Sequence, residues 1–168
     1  LLLGMCAITA ACSGASSSSP TSPTGAAFDV RQTQARSGTE LPFNGSLTAT
    51  EIDVAHPPTL FADGTAAGTA NQFGRYTATF TAVVDLGTGT ATGTYTFTAA
   101  DGDQVFATFS GQGVPLGAGR ASITETATIE SGTGRFTAAT GTFTIRRILE
   151  EATGQSSGSF AGHISLNN

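Results

Sequence analysis

From Pro42 onward, apolar or small residues alternate with threonine or serine at almost every position, the pattern of strands with one face in a core and the other in water. Thr90, Thr92, Thr94, Thr96 and Thr98 alternate with Ala91, Gly93, Tyr95, Phe97 and Ala99. Tyr76, Ala78, Phe80, Ala82, Val84 and Leu86 likewise form one face, opposed by Thr77, Thr79, Thr81 and Asp85. Threonine is β-branched and suits the wet face of a strand. Between the alternating runs lie hairpin signals: Gly87-Thr88-Gly89, Asp101-Gly102, Ser131-Gly132-Thr133-Gly134 and Thr153-Gly154-Gln155. The pattern predicts strands at about 43–54, 64–70, 75–86, 90–99, 103–113, 120–130, 139–149 and 157–166, with a short extra piece near 135–137. No window has the periodicity of an amphipathic helix. Eight or so antiparallel strands on short turns predict an all-β, closed up-and-down barrel, because closure removes exposed edges. A two-sheet β-sandwich is the alternative.

The chain ahead of this region reads differently. Leu1 to Ala11 is an uncharged apolar run. It is too short for a membrane span of roughly 20 residues and about the length of a signal-peptide core. It ends Ile8-Thr9-Ala10-Ala11-Cys12, which resembles a lipobox, with Thr9 at the usual leucine position. That resemblance implies export and lipidation at Cys12. Cleavage after Ala15 by an ordinary signal peptidase, which would release a soluble secreted protein, is the alternative. Cys6 falls in the segment to be removed, so the two cysteines make no disulfide framework. From Ser13 to Ala27 there is no large side chain, and such a stretch cannot offset its ordering entropy by burial. The expected organisation is therefore a targeting segment over 1–11, a flexible tether and lead-in over 12–40, and a barrel domain over 41–168.

Composition narrows the function classes. Charged residues are 11% of the chain, the net charge is −5, and all seven cations are arginine. Seven dispersed arginines make no basic patch, which argues against a nucleic-acid partner, and the absence of lysine removes Schiff-base chemistry. An outer-membrane barrel would carry aromatic girdles at both interfaces, whereas this chain has no tryptophan and two tyrosines. Membrane contact is expected through the lipid anchor only.

Motifs for chemistry are sparse. Gly154-Gln155-Ser156-Ser157-Gly158 fits a nucleophile elbow in letters, but it is expected at a polar hairpin tip with no helix after it, so Ser156 is not read as a nucleophile. His56 and His163 lack partners at ligand spacing, and Asp101 and Asp103 flanking Gly102 read as a tight turn rather than a calcium loop. No catalytic constellation, metal site or cofactor is expected.

The departures from the pattern are charges on apolar faces. Glu125 lies on the face of Ala121, Ile123, Ala127 and Ile129, and Arg147 on that of Phe143, Ile145 and Leu149. Extending Phe43, Gly45, Leu47, Ala49 adds Glu51, unless a bulge before Ile52 and Val54 turns it outward. Burying an unpaired charge costs several kcal/mol, so Glu125 and Arg147 are expected to meet in the interior. With Glu51 they form the candidate ligand-binding site, near one mouth of the barrel. The competing reading puts them at strand ends, reaching solvent.

The run Ser131-Gly132-Thr133-Gly134-Arg135-Phe136, followed by Ala139 and Gly141, resembles the Gly-Gly-Thr-Gly-x-Phe turn of the allene oxide cyclase and dirigent barrel superfamily, with Ser131 at its first glycine. The order of hairpins, with Gly74-Arg75-Tyr76 opening a long strand and Ala100-Asp101-Gly102-Asp103 closing a later one, is similar to uncharacterised bacterial proteins with such barrels. The resemblance implies a barrel and a homo-oligomer, a trimer in that superfamily. It transfers no activity, because no catalytic residue of the plant families has a counterpart here. Two functions stay open: a binding or structural module of the cell envelope, and an isomerase- or cyclase-type enzyme holding a small apolar ligand inside the barrel.

Overall fold

The structure, a computed structural model, describes residues 38–166. Cys12, the whole targeting segment and most of the tether lie outside the described residues. Nine strands follow one another: β1 Thr39–Pro42, β2 Gly45–His56, β3 Thr59–Ala70, β4 Gly74–Asp85, β5 Thr90–Ala99, β6 Gln104–Gly117, β7 Arg120–Gly132, β8 Thr140–Glu150 and β9 Gln155–Leu166. Each pairs antiparallel with the next from β2 to β9, and β9 returns to pair with β2, closing the sheet. The ends of the sheet meet, so a sandwich is excluded.

β1 and β2 behave as one strand. β1 pairs with the end of β9 from Pro42↔His163, β2 takes over at Gly45↔Phe160, and Phe43 N–H still bonds to Gly162 C=O between them, all in one register. The barrel therefore has eight staves, the first one broken at Phe43 and Asn44.

Following paired residues once around fixes the tilt. The path runs Glu51, Gly64, Phe80, Tyr95, Ala107, Ile129, Gly141, Ile164 and returns to the first stave at Leu41. That is a shear of about ten residues for eight strands, a wide and strongly tilted barrel whose interior side chains must fill.

They do so with rings. Phe43, Phe73, Tyr76, Phe97, Phe136, Phe143 and Phe160 are all buried, and edge or tilted contacts join them, with centroids 5.0 Å apart for Phe43–Phe143 and 4.9 Å for Phe73–Phe136. β3 makes room by presenting only alanine and glycine to the interior from Ala62 to Ala70. Phe73, in the β3–β4 turn, and Phe136, in the β7–β8 connection, close this end of the barrel.

The β7–β8 connection shows why the Ser131–Phe136 run has its composition. The expected extra piece near 135–137 is a single 3-10 turn over Gly134–Phe136. Gly134 has φ +55, and a Cβ there would strike the Asp103 carboxylate, which accepts a bond from Arg135 N–H at 3.1 Å. Arg135 also pairs with Asp101. The Asp101-Gly102-Asp103 turn thus anchors the loop that carries Phe136.

Several expected boundaries differ, and β6 runs on to Gly117 rather than ending near 113. β3 begins at Thr59 rather than near 64, because Pro57-Pro58 forms the tip of a tight β2–β3 hairpin and Asp63-Gly64 continues the strand. Leu86 has left β4 and is exposed in the following turn.

Candidate functional site

Above the aromatic plug, toward the end formed by the β2–β3, β4–β5, β6–β7 and β8–β9 turns, the interior changes character. Glu51 of β2, Glu125 of β7 and Arg147 of β8 are all brought together and buried, at 7%, 2% and 5% exposure. β2 is regular against β3 from Gly45 to His56, so no bulge turns Glu51 out; instead Ile52 and Val54 point outward and are exposed. The alternative of rim charges reaching water does not hold.

Arg147 is the hub. Its Nη1 donates to Glu51 Oε2 at 2.5 Å and to Ser156 Oγ at 3.0 Å, and its Nη2 donates to Glu125 Oε1 at 3.4 Å. The other oxygen of Glu125 accepts from Tyr95 Oη at 2.7 Å. The guanidinium carbon also stands 5.2 Å from the centre of the Phe80 ring, a cation–π contact. Arg147 Nε is buried without a hydrogen-bond partner among the described residues.

Small residues create the space. A Cβ on Gly158 would meet the Arg147 backbone and Cβ, and one on Gly111 would meet Glu125 Cγ. Each glycine stands directly opposite the charged residue it accommodates, Gly158 across from Arg147 and Gly111 across from Glu125.

The electrostatics follow from two carboxylates sharing one guanidinium in a dry interior. Burial works against the charge of Arg147, but Glu125, Tyr95 and Glu51 outweigh it and push its pKa up. Glu51 is held above its ordinary value by burial, with Arg147 only partly offsetting this. Tyr95 is pushed well above its ordinary value by burial and then by the Glu125 carboxylate, so it stays a phenol and donates. Asp53, two residues beyond Glu51 on the same face, is also raised, again by burial first.

Sequence reasoning missed Tyr95 and Ser156. Ser156 does not sit at a hairpin tip: it is the second residue of β9, buried, and engaged by Arg147. Its place two residues before Gly158 and four before Phe160, on their face, was the available signal. Tyr95 belonged to the inward face of its strand from the outset, but nothing local marked Glu125 as the acceptor. No histidine approaches Ser156 to act as a base: His56 is the exposed last residue of β2, and His163 lies on the outward face of β9. Among the described residues there is no group of His, Cys, Asp and Glu able to hold a metal ion. A surface recess over outward-facing threonines such as Thr48, Thr65, Thr77 and Thr79 also touches Ser156, while Arg147, Glu51 and Glu125 do not line it.

What the arrangement can do chemically is limited by its internal pairing, which leaves Arg147 Nε as the buried side-chain atom without a partner among the described residues. Each charged group is matched by another part of the chain, so the layer fixes how β2, β5, β7, β8 and β9 meet across the barrel. Comparison with known proteins brings no relative to bear on that reading, since no family model, no curated protein and no solved structure matches the chain.

Proposed function

We propose that the chain is an exported, lipid-anchored β-barrel serving as a structural or binding module of the cell envelope. The observation that carries the module over an enzyme is the internal matching of Glu51, Glu125, Arg147, Tyr95 and Ser156 inside a ring-filled barrel. An isomerase or cyclase would need free volume beside a group able to move a proton. Here rings fill one end of the interior and a paired ionic layer the other, with both carboxylates tied to one guanidinium. The anchor rests on the apolar run before Cys12 and on the stretch without large side chains after it.

The test is mass spectrometry of the protein from the membrane fraction of a bacterial host carrying the full-length gene. Acyl chains on Cys12 are expected. Unmodified soluble protein starting after Ala15 would overturn the anchor.

A further inference from the structure

Large apolar side chains exposed to water gather at the rim opposite the aromatic plug: Ile52, Val54, Phe61, Val83, Leu86, Val114 and Leu116. Four of them form one outward patch. Val54 of β2, Phe61 of β3 and Val83 of β4 are direct cross-strand neighbours, exposed at 49%, 45% and 46%, and Ile52 adjoins them at 73%. The threonine-rich pattern of the outer face gives way here to bulky apolar residues on three adjacent strands. Contiguous exposed apolar surface marks a contact site.

We propose that this patch is a self-association surface, in which a second copy of the chain packs its β2–β4 face against the first about a two-fold axis along the Val54–Phe61–Val83 row. The charges around the patch choose both the partner and the axis. The row beside it toward the plug is Ile52, Asp63, Thr81, and the row beside it toward the rim is His56, Thr59, Asp85. A two-fold along the central row lays one flanking row on the other. Ile52 then faces the second copy's His56, Asp63 faces its Thr59, and Thr81 faces its Asp85, so each carboxylate meets a hydroxyl donor. Val54, Phe61 and Val83 each face themselves. An axis parallel to the strands would instead set Asp63 against Asp63, a like-charge contact that costs stability.

A lipid surface fits less well: the patch is bordered by two aspartates, its three rows contain no arginine, and anionic membranes attract the opposite charge. A convex patch three strands wide is small beside the roughly 1,200–2,000 Å² of a stable interface, so the dimer is weak and reversible. This inference is independent of the anchor and of the interior cluster.

Sedimentation velocity of the full chain carrying Cys12→Ser, under reducing conditions and over a wide concentration range, should show a monomer–dimer equilibrium. Phe61→Ser and Val83→Thr, both at exposed positions that leave the core intact, should each weaken it by about tenfold or more. Val114→Ser, outside the patch, should leave it unchanged. Sheets packed face to face stand about 10 Å apart, too far for a direct disulfide. A short bismaleimide should therefore join two copies through Phe61→Cys in a chain with Cys6 and Cys12 replaced by serine, and should fail through Thr126→Cys on β7. A monomer at every concentration, a trimer, or a dimer indifferent to Phe61→Ser would overturn the proposal. So would a monomer that binds phosphatidylcholine vesicles through Phe61, which would assign the patch to lipid.

Discussion

The two halves of the barrel interior are filled in opposite ways. At the end closed by Phe73 and Phe136, aromatic rings pack edge to face with no ionisable group among them but Tyr76, whose hydroxyl donates to Ser46 C=O at 2.9 Å. Toward the open rim, one arginine, two glutamates, a tyrosine and a serine occupy the same kind of inward positions. Trimming a ring or a neighbouring aliphatic group costs packing but leaves no charge behind. A buried ionic layer is directional, and each member depends on the others, because removing one leaves its partner charged and dry. The aromatic half supplies bulk stability, while the ionic half specifies which staves meet and in what register.

The largest expected effect breaks the ionic half alone. Arg147→Met leaves two buried carboxylates facing each other and should cost roughly 3–5 kcal/mol, read by chemical denaturation. Replacing Glu51 and Glu125 by leucine in the same chain should recover most of that loss. The coupling of Arg147 to Glu51, at 2.5 Å, should exceed its coupling to Glu125, at 3.4 Å. If the single and combined substitutions simply add, the layer is not a unit.

A smaller effect tests independence between the halves. Ile164, fully buried at the plugged end, should lose about 0.5–1.5 kcal/mol on Ile164→Val, with no charge left behind. The loss should be the same, within about 0.5 kcal/mol, in the wild type and in the Arg147→Met background. A different loss in the two backgrounds would mean that the halves communicate.

The subtlest difference is in pH response. Burial holds Glu51 above its ordinary value of 4.5, so the folded state binds that proton more tightly than the unfolded chain does. The stability this contributes is complete below pH 4.5 and is lost as pH rises through the raised folded value. Glu51→Gln, which keeps an acceptor for Arg147 but cannot ionise, should therefore gain in Tm relative to wild type as pH rises through that window. A constant gap in Tm across it would show that Glu51 ionises as freely inside as outside.

How much of this was legible beforehand depends on distance along the chain. The alternation from Tyr76 to Val84 and from Ala91 to Ala99 assigned faces to β4 and β5, because a period of two maps directly onto the two sides of a strand. The same parity put Glu125 and Arg147 on an inner face, and the short turns between strands called for antiparallel neighbours and a closed barrel. Two local ambiguities were not resolvable that way: whether Glu51 stayed in phase beside the apolar Ile52 and Val54, and whether the strand after Pro57-Pro58 began at Thr59. Both depend on pairing with a neighbouring strand.

The sequence by itself determined the all-β class, most strand positions and the strand face that carries Glu125 and Arg147, since these follow from backbone geometry and local patterning. Only the tertiary structure decided that Arg147 meets Glu51 across 96 positions of chain and that Tyr95 completes Glu125. It also decided that Ser156 faces the guanidinium and that Val54, Phe61 and Val83 line up outside. Those contacts depend on register and shear around a closed sheet, and a slip of two residues in any one stave would keep every face assignment while changing every partner.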